Sequence, residues 1–239
     1  MVRSAAFAML FLHVTVGCDS ESSAMASTEA WVPLASSKLV GGKGLDDWAM
    51  EWNRWAYSQT SCDSPITDID GSQCGLYQDD ESPVFFLTFA PSKSVRSKCE
   101  VPKGKAILVP VATCAIDPVG EDPEIADEEL EGWADEALAS MRDLKLVVDG
   151  KPWKVGEDHA VAPIKHSVHL PSAPNFYSCR GVKGFEDVVL DPVFITGYFA
   201  LLPPPSSGEH TISYAGAQEI LGTTDVSLAN MQIRVGEKP

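Results

Sequence analysis

Residues 193–202 read Val-Phe-Ile-Thr-Gly-Tyr-Phe-Ala-Leu-Leu, an apolar run of strand length, and Pro203-Pro204-Pro205-Ser206-Ser207-Gly208 ends it. The chain then returns as His210-Thr-Ile-Ser-Tyr214. Proline cannot donate to a strand ladder and serine and glycine favour reversals, so two strands flank a proline-rich turn. Downstream, Ala229, Met231, Ile233 and Val235 alternate with polar residues and predict a last strand. Upstream, Val84 to Phe89 and Ala106 to Val111 are short apolar runs bounded by Pro, Gly and Ser. Leu144 to Val148 leads into Asp149-Gly150, a strong two-residue hairpin signal.

Two segments carry a helical period instead. Leu45, Trp48, Ala49, Trp52, Trp55 and Ala56 recur on one stripe with Asp46, Asp47, Glu51, Asn53 and Arg54 between them. That spacing predicts an amphipathic helix of about 13 residues with the tryptophans in the core rather than exposed to stack on sugars. Asp122-Pro123-Glu124 reads as the start of a second helix, with Leu130, Ala134, Ala137, Leu138 and Met141 as its buried stripe. Trp133 and Trp153 sit among charged residues and are the tryptophans expected at the surface, as candidate ligand contacts. The fold class expected is mainly β: a β-sandwich, immunoglobulin-like or jelly-roll-like, with two inserted helices. An α+β fold is the alternative.

The N-terminus is organised differently. Arg3 precedes an apolar run, Ala5 to Val16, too short to span a bilayer, and Gly17-Cys18 closes it. Thr15-Val16-Gly17-Cys18 resembles the lipobox of bacterial lipoproteins, with Thr15 where leucine is commonest. The resemblance implies a signal peptide over 1–17 and diacylation of Cys18. Cleavage after Ala24 or Ala26, with Cys18 discarded, is the alternative and implies simple secretion. Residues 18–43 then form the lipidated end and a Ser/Ala-rich tether, and 44–239 a single disulfide-containing domain. Either way the domain lies outside the cytoplasm, in the cell envelope or secreted.

Five cysteines follow Cys18, so at most two bridges form. Cys74 with Cys99 and Cys114 with Cys179 is the expected pairing, leaving Cys62. None of the spacings is a zinc or thioredoxin pattern.

Pro83-Val-Phe-Phe-Leu87, Cys99-Glu-Val-Pro102-Lys-Gly104-Lys105 with Ile107-Leu-Val-Pro110, Gly197-Tyr198 and Gly208-Glu-His210-Thr-Ile212 resemble a group of functionally uncharacterised secreted bacterial proteins. The Gly-x-His-Thr-Ile strand after a proline loop is similar to the closing hairpins of bacterial immunoglobulin-like modules. These resemblances imply a β-rich exported domain and no activity.

A net charge of −16 argues against nucleic acid, whose phosphates require a Lys/Arg surface, and repels an anionic lipid surface. The membrane is therefore reached through the N-terminal lipid only, and an envelope protein or a glycan is the partner class left open. Residues 117–136 hold ten acids and no Lys or Arg, which reads as the solvated face of a helix. His166-x-x-His169 would share a face on a helix, but Pro163 and Pro171 bound a strand or loop, where residues three apart diverge. Asp68-Ile-Asp70-Gly71 is the calcium candidate; with Gly71 at position six of an EF-hand loop, Ile66 and Tyr77 fall at the ligand positions one and twelve. A looser calcium site would draw on Asp63, Asp79, Asp80 or Glu81; otherwise no cofactor is expected. Gly-x-Ser-x-Gly is absent, and Ser94-Val-Arg-Ser97 lacks the Lys of Ser-x-x-Lys. His210 is the candidate catalytic residue, with Cys179 as a conceivable thiol partner. The function expected is a binding or structural module of the envelope, not an enzyme; a hydrolase acting on an extracellular polymer such as a polysaccharide is the alternative.

Overall fold

Strand β1 (Val84–Phe86) and strand β3 (Ala106–Ile116) pair in parallel, and strand β7 (Val188–Leu202) joins them antiparallel, with strand β6 (Ala160–Leu170) on its far side. The computed structural model describes residues 31–68, 71–88, 96–121, 124–220 and 223–236. A second sheet runs in the order β2 (Arg96–Pro102), β9 (Thr223–Gly236), β8 (Gly208–Ile220), β4 (Arg142–Val148) and β5 (Lys151–Trp153). Helices α1 (Leu45–Tyr57) and α2 (Asp127–Ser140) complete the order. The fold is the mainly β sandwich with two inserted helices expected from the sequence. The parallel β1–β3 and β2–β9 pairs make both sheets mixed.

The first sheet is covered on both faces, which explains its near-continuous apolar sequence. In β3, Ala106 and Leu108 face α1 while Ile107 and Val109 face the second sheet. In β7, Phe199 and Leu201 divide from Ala200 and Leu202 in the same way. α1 lays Leu45, Trp48, Trp52 and Trp55 on the outer face, as its period requires. All three indoles are at most 7% exposed, so the stripe is core.

A bulge between Pro110 and Ala112 breaks this alternation. One extra residue exchanges the two faces of a strand. Beyond it Ala112 and Cys114 pack with Ala137 of α2 and Met141 at its C-terminal end, while Thr113, Ala115 and Asp117 turn to the α1 side. The backbones are close here. A Cβ on Gly197 would lie 2.3 Å from the Ala112 carbonyl oxygen, at a φ of +142°. Helix α2 packs against β3, β7 and β8.

Four expectations need correction. Cys74–Cys99 forms as expected, but Cys179 pairs with Cys62 instead of Cys114, which is a buried thiol. The bulge explains why: it turns Cys114 toward α2, whereas Cys179 adjoins residues on the α1 side. Helix α2 begins at Asp127 with Ala126 as its N-cap, and Asp122 and Pro123 lie outside the described residues. The body reaches further back than Gly44, for the Trp31 indole donates to the Pro203 carbonyl at 2.7 Å and the Leu34 amide to Leu201 at 2.8 Å. Trp133 and Trp153 are half-buried: Trp133 packs beside Leu130, Ala134 and Phe194, and Trp153 against the inter-sheet core.

The hairpin at Asp149-Gly150 forms as its sequence requires. Both residues take positive φ, +48° and +76°, and Val148 pairs with Lys151.

Candidate functional site

The last two turns of α1 pack Trp52 and Trp55 on the first sheet but leave a gap beside Asn53 and Tyr57. Between them, the end of β3 and the segment 171–187 lies a cavity of about 330 Å³. The bulge supplies one wall by turning Thr113, Ala115 and Asp117 inward; α1 supplies Trp52, Asn53 and Tyr57. Phe176, Tyr177 and Arg180 close the third side. The Cys62–Cys179 bridge ties that third wall to the chain just after α1.

Asp117 organises the floor. Its Oδ2 accepts the Tyr57 hydroxyl at 2.8 Å and the Tyr177 hydroxyl as well, and its Oδ1 accepts the Val119 amide at 3.0 Å. Burial, then the Asp117 charge, pushes both phenols well above their ordinary range, so both remain donors. The Tyr57 ring stacks on Phe176 at 4.4 Å, and Tyr177 stands edge-on to Phe176 at 5.2 Å. At the mouth the Arg180 guanidinium carbon sits 3.8 Å above the Phe176 ring, and Nη1 donates to the Phe176 carbonyl at 2.8 Å. On the α1 side, Asn53 is 1% exposed, and its Oδ1 lies 2.9 Å from His166 Nε2. Burial lowers the His166 pKa.

The residues singled out by sequence lie elsewhere. His166 and His169 point to opposite faces of β6, one buried and one exposed, as residues three apart on a strand do. Asp68 accepts the Gly71 and Gln73 amides, at 3.0 and 2.7 Å, and so closes a turn; Asp70 and Cys18 lie outside the described residues. The carbonyls of Asp79, Asp80 and Ser82 surround the Lys105 ammonium, which is 9% exposed. Cys179 is held in a disulfide, which excludes the thiol dyad with His210.

His210 has a different setting. Its Nδ1 meets Asp149 Oδ2 at 2.8 Å, and its Nε2 meets the Ser206 carbonyl at 2.9 Å and the Ser206 hydroxyl at 3.3 Å. Trp31 packs edge-on against the ring at 5.0 Å, and Asp149 Oδ1 accepts the Thr211 amide. The array contains Ser, His and Asp, yet the shorter contact of Nε2 is to a backbone acceptor. That geometry clips the β4–β5 turn to the proline loop. A second recess, of about 270 Å³, lies on the second sheet, where Arg234 and Glu209 pair across β9 and β8.

Sequence reasoning missed Asp117, Tyr177 and Arg180. The only local signal is Phe176-Tyr177 beside Cys179-Arg180, two aromatics and a cation fastened by a cysteine. Asp117 was hidden as the first member of the acidic run, most of which is solvated on α2.

No protein-family model matches the chain, and comparison with curated proteins and with solved structures finds no match.

Proposed function

We propose that this chain is an envelope lipoprotein, anchored through Cys18, whose domain binds a small molecule in the cavity beneath α1. The observation that carries the reading is the cavity itself. Its volume is in the range of small-molecule sites, and its walls are mostly apolar with a few convergent polar groups. The aromatic walls are held by the Asp117 hydrogen bonds and the Cys62–Cys179 bridge, so little ordering cost attends binding. Two disulfides fit an oxidising compartment, which agrees with export. A screen of small aromatic and amphipathic compounds against the oxidised protein, read by backbone amide shifts, tests the reading. Hits should cluster at Tyr57, Thr113, Ala115 and Tyr177; hits that leave those residues unmoved contradict it.

A hydrolase is the second reading, favoured by the Ser206–His210–Asp149 array. It requires the Ser206 hydroxyl to replace the Ser206 carbonyl on Nε2. Cleavage of a nitrophenyl ester that Ser206→Ala abolishes would support it. Activity that survives the substitution, or no activity in the parent, removes it.

A further inference from the structure

We infer that the cavity takes a small amphiphile with a planar apolar body and one anionic group, which pairs with Arg180 at the mouth. The inference rests on the reading of the cavity as the ligand site and names what that site selects.

The argument is which charges are already occupied. Asp117 is the carboxylate in the wall, and both its oxygens accept hydrogen bonds from within the protein. A cationic ligand reaching for it would displace phenol donors or meet a carboxylate with three of its roughly four lone-pair sites taken. Arg180 is in the opposite condition. Among the described residues it makes one hydrogen bond, through Nη1 to a neutral carbonyl, and no ion pair. A guanidinium has five N–H donors in a fixed fork, so a face suited to a carboxylate remains open. Burial lowers its pKa, as expected where a cation is partly desolvated without a carboxylate in contact. A bound anion would supply that missing partner. The net charge of −16 opposes anions only at long range and is largely screened beyond about 8 Å at physiological salt.

The rest of the cavity sets the shape of the body. The Trp52, Tyr57 and Tyr177 rings line it, which suits a flat apolar body. Asn53 and Thr113 add neutral polar groups. One end of the Asn53 amide is committed to His166, and neither its other end nor the Thr113 hydroxyl has a partner among the described residues. They would meet a neutral polar atom at the far end of the ligand. A two-ring carboxylate of about a dozen heavy atoms is of the right scale for about 330 Å³.

The test titrates the oxidised protein with 2-naphthoate, 2-naphthylmethanol and 2-naphthylmethylammonium, following indole fluorescence and the amide shifts of Tyr57 and Thr113. Naphthoate should bind tightest. Arg180→Gln should weaken naphthoate by about tenfold or more, the worth of a charge-assisted contact, and leave naphthylmethanol unchanged. Arg180→Lys, which keeps the charge and loses the fork, should fall between. Arg180 lies at the rim, partly open to solvent and held, among the described residues, only by its Phe176 contacts, so the variants should melt close to the parent. Tighter binding of the ammonium, or naphthoate binding indifferent to Arg180→Gln, overturns the anion assignment while leaving the cavity as a site. No perturbation of Tyr57 or Thr113 by any of the three removes the cavity reading and this inference with it.

Discussion

His166 lies on β6 with its ring between the Ile164 carbonyl, 3.1 Å from Nδ1, and Asn53, 2.9 Å from Nε2. Burial is the main cause of its lowered pKa, with Arg54 lowering it further and Glu51 acting the other way. The unfolded chain, near the ordinary value of about 6.5, therefore takes up the proton first as pH falls. The stability due to this residue is full above that value and is lost as pH drops toward the depressed native one. His159, whose pKa burial also lowers, contributes with the same sign. The melting temperature should fall between about pH 7.5 and about pH 5.5, and His166→Gln with His159→Gln should flatten the slope. An unaltered slope in the double variant would contradict the assignment. Gly197 is the other residue on which local structure depends. A Cβ there would lie 2.3 Å from the Ala112 carbonyl oxygen in a left-handed backbone, so Gly197→Ala should cost roughly 2–5 kcal/mol through crowding and strain together. A calorimetric melt within a degree or two of the parent would show that β3 can move aside.

At the scale of elements, α1 does two things with one stripe. Trp48 and Trp55 meet Phe86, and Trp52 meets Phe199, so the helix is bound to the first sheet through aromatic edges. Trp52 also lines the cavity. Trp52→Ala should cost about 3–5 kcal/mol, as buried aromatic truncations do, measurable by chemical denaturation. A loss under about 1 kcal/mol would mean that the stripe is not core. This element was legible because the 3.6 period of Leu45, Trp48, Trp52 and Trp55 is a property of consecutive residues. The hairpin was legible for the same reason, since Asp149-Gly150 carries its own turn chemistry. Strand β2 was not, because the alternation of Lys98, Cys99, Glu100 and Val101 runs for only four residues and the strand exists by pairing with β9, far along the chain. The site was the least legible part. A single bulge decides that Asp117 points inward and Cys114 away, and Ala112-Thr-Cys-Ala-Ile116 contains no residue that announces it.

At the scale of the whole molecule, the two disulfides differ in what they secure. Cys74–Cys99 closes a separation of 25 residues, whereas Cys62–Cys179 spans 117 and fixes the segment that carries Tyr177 and Arg180. Replacing Cys62 and Cys179 by alanine should cost about 3–5 kcal/mol by the loop-entropy estimate and should also loosen the cavity wall. Peptide mapping under non-reducing conditions should recover both bridges, with Cys114 as the thiol. Recovery of a Cys114–Cys179 peptide would contradict the path of β3. Export has its own test: a palmitate analogue should label the cell-expressed protein, and Cys18→Ala should abolish the label. Unchanged labelling would remove the anchor and leave secretion. The central claim is that the cavity beneath α1 is a ligand site, and intermolecular proton contacts by NMR test it most directly. With 2-naphthoate bound, the account predicts contacts from the naphthalene ring to the Thr113 and Ala115 methyl groups and to the Tyr57 and Tyr177 rings. Contacts confined to the outer faces of the sandwich, with those four residues silent, would contradict it.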